Sequence, residues 1–310
     1  MESFDQSLKF LLQHEPADFI RFGLGDPTAQ VLEPVPSVLP ARGRDVDGAY
    51  LVAPGGGESG NVADTDKRVV HIELHRRHQS LEELGVDVAE AQIRLFRRER
   101  RLVVSHVWDL YGDRNAPVLS ERTLEYGEMG SRCVYQRVNL RGLSWRELLT
   151  KGPPALWALV ALTRDGRDEA VIAKACEAIE ARVEWSSAER ADHLAVLWFV
   201  AEAEDMPSRM LQEYLSEERL MESALYKSIF EKGEARGEAR GEARGEAKAY
   251  AAMLLRVLLD RLGVVDAAVR ERIRGADADL LKIWCEDALS VGDADATRRV
   301  AEKIRNTPLG

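Results

Sequence analysis

The chain has 310 residues, 45% apolar and 31% charged, with 43 basic and 53 acidic side chains and a net charge of −10. This is the balance of a globular chain long enough for two domains, and it excludes a strongly basic protein that coats nucleic acid. The acidity is even, with 19 basic and 23 acidic residues over 1–150 against 24 and 30 over 151–310, so contact with a polyanion must come from a local basic patch.

Residues 4–12 place Phe4, Leu8, Leu11 and Leu12 at helical spacing, and Pro16 interrupts them. A second short helix is expected at 18–24. The Pro-rich stretch that follows (Pro27, Pro34, Pro36, Pro40) reads as loop or extended chain. A strand is expected at 46–53, then a turn at Gly55–Gly57 and Gly60. That turn lacks the Gly-Lys-Ser/Thr ending and the following helix of a phosphate loop, so it reads as a hairpin tip. A strand at 68–75, a helix at 86–101, a strand at 102–108 and a last strand at 133–140 complete the N-terminal part. Strands alternating with helices imply an α/β domain over 1–143, a mixed sheet flanked by helices.

From 144 onward the pattern is all-α. A helical extension over 144–232 carries Trp157, Leu197, Trp198 and Phe199 on apolar stripes, which read as core. Residues 233–248 repeat Gly-Glu-Ala-Arg three times and then Gly-Glu-Ala-Lys. A period of four stacks the glycines along one helical stripe, but it also stacks like charges at i,i+4, and each Gly costs about 1 kcal/mol against Ala. The tract is therefore either a flexible linker or a weak helix that needs another helix packed on its glycines. A small helical module is expected at 249–310. Cys133, Cys176 and Cys285 lack metal-ligand spacing and read as reduced thiols. The best apolar window, Ala155–Leu162, is too short to span a bilayer, and the N-terminus carries Glu2 and Asp5 rather than a basic leader. A cytoplasmic protein without membrane contact is expected.

The chemistry concentrates at Val69–His75. Alternation along a strand puts Val70, Ile72 and Leu74 on one face and Val69, His71, Glu73 and His75 on the other. A carboxylate between two imidazoles is costly unless something binds there. Asp47 sits at the mouth of the preceding strand, although a one-residue slip would exchange it with Asp45. Carboxylates on neighbouring strands can hold Mg²⁺ or Mn²⁺ against a phosphate, with the metal activating water. His75 shares the Glu73 face and can reach the same water. On the helix that follows, Val88, Ala89, Ala91, Ile93, Leu95 and Phe96 form an apolar arc. Gln92 lies inside that arc, facing the sheet, where it could position water or phosphate. Arg94, Arg97, Arg98 and Arg101 lie opposite and, with Arg76 and Arg77, form the basic patch that could track a phosphate backbone.

These stretches resemble a known family. Asp followed on the next strand by Glu-x-polar and then a helix is similar to the PD-(D/E)xK nuclease superfamily. More closely, Asp5-Gln-Ser-Leu-Lys-Phe-Leu-Leu, Arg44-Asp-Val-Asp-Gly-Ala-Tyr-Leu, His71-Ile-Glu-Leu-His and Gln92-Ile-Arg-Leu-Phe-Arg-Arg resemble the bacterial recombination-promoting nuclease, or transposase-like, family. The Gly-Glu-Ala repeats and the helical module after them also match its C-terminal part. The resemblance implies a restriction-endonuclease-like N-terminal fold, metal ligands at Asp47 and Glu73, and an additional helical acid at Asp5. The family commonly has Gln, and the superfamily Lys, where this chain has His75. The expected function is a Mg²⁺-dependent DNA endonuclease with catalytic residues Asp47, Glu73, His75 and Gln92, contacting the DNA backbone with weak sequence preference. The alternative is an inactive nuclease-fold binding module that self-associates through its C-terminal helices. A third reading makes His71, Glu73 and His75 the ligands of a different metal-dependent hydrolase.

Overall fold

The computed structural model describes residues 2–35, 46–54, 66–75, 80–126 and 131–307. Arg44, Asp45, the glycine turn at 55–60, Arg76 and Arg77 lie outside the described residues. The chain divides into two compact units, 1–227 and 228–310.

The first unit is built on a six-stranded sheet in the order β1-β2-β3-β4-β6-β5. Strands β1 (Gln30–Pro34), β2 (Gly48–Ala53) and β3 (Arg68–Leu74) form an antiparallel meander. Helix α3 (Leu81–Glu99) then carries the chain to β4 (Val103–Trp108), which runs parallel to β3. Strand β5 (Leu119–Tyr126) pairs antiparallel with β6 (Ser131–Val138), and β6 runs parallel to β4. The sheet is thus mixed, as the alternation implied. Strand β1 falls in the Pro-rich stretch read as loop or extended chain. Pro34 is tolerated there because β1 is an edge strand.

Two helical layers cover the sheet. Helices α1 (Glu2–His14) and α2 (Pro16–Leu24) take the face of Val70, Ile72 and Leu74. Tyr50 Oη donates to the Leu12 carbonyl at 3.3 Å, and the Phe19 ring lies 4.6 Å from Trp108. Gly23 passes so close to the strand that a Cβ there would stand 2.5 Å from His106 Nδ1. Helix α3 takes the opposite face, packing Leu84 and Val88 on Val107, Cys133 and Tyr135, and Ala91 and Leu95 on Ala49, Leu51 and Val69. It begins five residues before the expected start because Ser80 and Glu83 form a capping box.

The expected apolar arc of α3 needs correction. Ile93 and Phe96 are 60% and 51% exposed. Contact with the sheet follows the narrow line Leu84–Val88–Ala91–Leu95, and residues at the margins of a wide arc fall outside it.

The helices from 144 onward pack into the same unit. They are α4 (Trp145–Lys151), a 3₁₀ run at Pro154–Leu162 where an α-helix was expected, α5 (Glu169–Glu180), α6 (Ser187–Ala203), α7 (Ser208–Tyr214) and α8 (Glu217–Leu220). Leu156, Leu159, Leu162 and Leu197 are fully buried. The Ala155 amide donates to Asp18 Oδ2 at 3.2 Å. Past the end of β6, Arg141 donates to Glu204 Oε1 at 2.6 Å, and Arg167 pairs with the other oxygen of the same buried carboxylate.

Helix α9 (Ala224–Leu262) leads into the second unit, where α10 (Ala267–Gly275), α11 (Ala278–Ser290) and α12 (Ala294–Asn306) follow. Leu254, Leu258, Ile273, Trp284 and Ile304 form the core of that unit. All four repeats lie within α9, and a Cβ added at Gly233, Gly237, Gly241 or Gly245 would meet nothing within 4 Å. The tract is helical with, among the described residues, no helix packed on its glycines, contrary to the condition expected of it. Helix propagation from its anchored ends accounts for this, since each added residue needs no new nucleus. Among the described residues, no helix is long and apolar enough to cross a membrane.

Candidate active site

Strand register brings the two expected carboxylates together. Gly48 is paired with Ile72, so one further step in the antiparallel register sets Asp47 opposite Glu73. Residues directly opposite in such a pair lie about 4.5–5.5 Å apart at Cα. Asp47 is held firmly. Its Oδ2 accepts the Leu74 amide at 2.9 Å, its Oδ1 lies 3.2 Å from Lys9 Nζ, and its side chain is 4% exposed. Burial, and then repulsion from Glu73, raises the Asp47 pKa above the ordinary carboxylate value. Two acids sharing one strand end in this way favour a cation between or beside them.

Behind Glu73, away from solvent, His71 is fully buried with Nδ1 3.0 Å from Ser105 Oγ and Nε2 3.5 Å from Glu73 Oε2. The row Ser105–His71–Glu73 has the residue types of a hydrolase triad. Ser105, however, is 1% exposed on the face covered by α3 and offers no nucleophile to a substrate. His71 Nε2 thus faces Glu73 at ion-pair distance and makes no hydrogen bond among the described residues.

His75 is positioned by the parallel strands. Its amide donates to the Trp108 carbonyl at 2.9 Å, which sets it beside Asp109, and its Nδ1 lies 3.0 Å from Asp109 Oδ1. Asp109 is itself anchored. Arg137 donates from Nε to Asp109 Oδ2 at 2.7 Å and from a second guanidinium nitrogen to the same oxygen, and the Tyr111 amide donates to Oδ1 at 3.1 Å. Burial works to raise the Asp109 pKa, but hydrogen bonds from His75 and Arg137 outweigh it and hold the carboxyl below its ordinary value. A carboxylate on Nδ1 favours the forms of the imidazole with a proton on that atom. Glu73, His75, Asp109 and Arg137 thus all lie at the carboxyl ends of three parallel strands, the edge at which open α/β sheets commonly carry their chemistry.

Other expected site residues lie elsewhere. Gln92 faces the sheet as read, but its amide is spent on β6, donating to Val134 O at 2.8 Å and accepting from Cys133 Sγ at 3.3 Å. It is not brought to the carboxylates. Asp5 pairs with Lys9 at 3.4 Å, one helical turn away, and so reaches Asp47 only through that ammonium. On α3, Arg94 pairs with Glu90, and Arg98 donates to Glu99 at 2.6 Å, while Arg97 is exposed. Part of the expected basic stripe is therefore neutralised within its own helix.

Lys9, Asp109 and Arg137 belong to the site but were not singled out as site residues, although Lys9 lies within the quoted Asp5-Gln-Ser-Leu-Lys stretch. The i,i+4 spacing of Asp5 and Lys9 was a local signal, and the acid following a strand parallel to β3 was a weak one. Arg137 had none.

The donors suit a hard cation. Asp47 and Glu73 offer carboxylate oxygens, and the Lys9 ammonium already stands on Asp47 as a cation would. Among the described residues, no three His, Cys, Asp or Glu side chains gather as a ready-made cage. His71, Glu73 and His75 are thus not gathered as such a cage. This is compatible with Mg²⁺, which is usually held by one or two carboxylates plus water and substrate phosphate. Compared with models of known families, with curated proteins and with solved structures, the chain gives no match.

Proposed function

We propose that this chain is a metal-dependent endonuclease that hydrolyses DNA phosphodiesters, of the recombination-promoting type. One observation carries the reading: the buried Asp47 lies opposite Glu73 in strand register, beside an imidazole held by its own carboxylate. The order of a helix, an antiparallel meander, a crossover helix and a parallel strand supports it, being the arrangement expected of a restriction-endonuclease-like core. Asp47 and Glu73 would hold Mg²⁺ or Mn²⁺, which lowers the pKa of bound water and offsets charge on the phosphate. His71 stands behind Glu73 at ion-pair distance. Asp109 fixes the tautomer of His75, whose Nε2 takes the proton of the attacking water. Arg97 offers an exposed charge to the DNA backbone.

A plasmid-nicking assay tests this. Purified protein should cut with Mg²⁺ or Mn²⁺ and stop with EDTA, and Asp47→Ala and Glu73→Ala should each abolish cutting. Undiminished cutting by both variants would remove the site. A wild type inert with every divalent metal would favour the second reading, a non-catalytic nuclease-fold module that self-associates through its C-terminal helices. The ammonium seated on Asp47 is the observation that favours that alternative.

A further inference from the structure

Lys9 is the feature of the site to which the expected chemistry gives no role. It projects from α1, and its Nζ lies 3.4 Å from Asp5 Oδ2 and 3.2 Å from Asp47 Oδ1. These two acids, its partners among the described residues, differ sharply. Asp5 is 42% exposed, whereas Asp47 is 4% exposed and shares its strand end with Glu73. A charge pair is strong where solvent is excluded and weak where it is not. The contact with Asp47 is therefore the one that matters to the site, and the contact with Asp5 holds the ammonium over it from the helix.

The Asp47 Oδ1 atom is also one of the oxygens a divalent ion would use, since Oδ2 already accepts the Leu74 amide. An ammonium and a divalent cation at one carboxylate oxygen repel each other. Resting on the metal-site reading above, we infer that Lys9 is a resident counter-ion of the carboxylate pair: it stabilises the metal-free site, must yield Asp47 when a divalent ion binds, and so sets the metal affinity of the enzyme. Asp5 is the acid on which Lys9 remains when it yields Asp47. The helical acid thus acts on the metal indirectly, through Lys9, rather than as a ligand.

Calorimetric titration of full-length wild type, Lys9→Met and Asp47→Ala with Mn²⁺ and with Mg²⁺ tests this, together with melting of the same proteins in EDTA. Once Lys9 has withdrawn to the half-exposed Asp5 its charge acts on the ion through solvent, and removing it tightens binding by roughly ten-fold. Lys9→Met should therefore bind Mn²⁺ about ten-fold more tightly than wild type, melt at lower temperature in EDTA, and gain more than wild type in melting temperature on adding Mn²⁺. Asp47→Ala should not bind. Adding Lys9→Met to Asp47→Asn should lower the EDTA melting temperature less than Lys9→Met does alone, because the carboxylate it neutralised is gone. If wild type binds and Lys9→Met binds equally or more weakly, the counter-ion role is overturned while the metal site stands. If neither binds either ion, the metal-site reading falls and this inference falls with it.

Discussion

Replacing Asp109 by Ala tests whether the group behind His75 is as tightly built as its contacts imply. Asp109 and Arg137 are 3% and 7% exposed, and the carboxylate takes two donors from Arg137, one from Tyr111 and the ring of His75. Truncating one partner of a buried pair leaves the other charge uncompensated and costs about 3–5 kcal/mol. For a unit of this size each kcal/mol is worth about 2–4 °C, so the melting temperature of the first unit should fall on the order of 6–20 °C. Adding Arg137→Met should recover much of that loss, because no lone charge then remains. Acid provides a second arm. The folded carboxyl lies below its unfolded value of 3.8, so its contribution is complete above that value and is lost as pH falls through the folded pKa. The stability gap between wild type and Asp109→Asn should persist at pH 5 and close below pH 4. Calorimetry that resolves the two units is the assay. A fall of less than about 2 °C for Asp109→Ala, well below that range, would mean that water solvates Arg137 and that the anchoring of His75 is loose.

His106 is buried against α2, and burial first, then Arg68 and His71, lowers its pKa from 6.5 to about 4. The unfolded chain then binds the extra proton, so stability should drop by roughly 3 kcal/mol as pH falls from 6.5 to 4, and urea unfolding of His106→Leu should show a flatter curve in that window. Gly23→Ala should destabilise the first unit by about 1–3 kcal/mol, since the added methyl would meet the His106 ring at 2.5 Å; an unchanged melt would show that the ring can move. Gly237→Ala, by contrast, faces open space and should stabilise helix α9 by up to about 1 kcal/mol, seen as increased helicity by circular dichroism. Loss of helicity there would reveal a partner seated on the glycine stripe.

The strand Arg68–Leu74 was legible because alternation is local, and the pairing of Asp47 with Glu73 followed once the meander was recognised. The partners of His75 were not legible. Asp109 and Arg137 reach it through two parallel pairings, β3 with β4 and β4 with β6, and no nearby spacing encodes such pairings. Strand β5, with the sequence Leu-Ser-Glu-Arg-Thr-Leu-Glu-Tyr, lies at the sheet edge and is too polar to announce itself. The exposure of Ile93 and Phe96 was hidden for another reason: periodicity gives the direction of an apolar face but not how wide its neighbour is. Gln92 shows the same limit, since it points at the sheet as read but meets β6 rather than the carboxylates.

The shared carboxylate of Glu204 has a consequence for modularity. Arg141, at the end of the sheet, finds that partner 63 positions downstream, where Arg167 also meets it. A fragment cut at residue 143 would strand a guanidinium, remove the partner of Asp18 and uncover the side of α1 that α6 packs against. The sheet with its carboxylates is therefore not a portable cassette. The smallest piece to express, graft or crystallise runs to Lys227, and insertions in the 144–227 helices should be felt at the strand ends that hold His75.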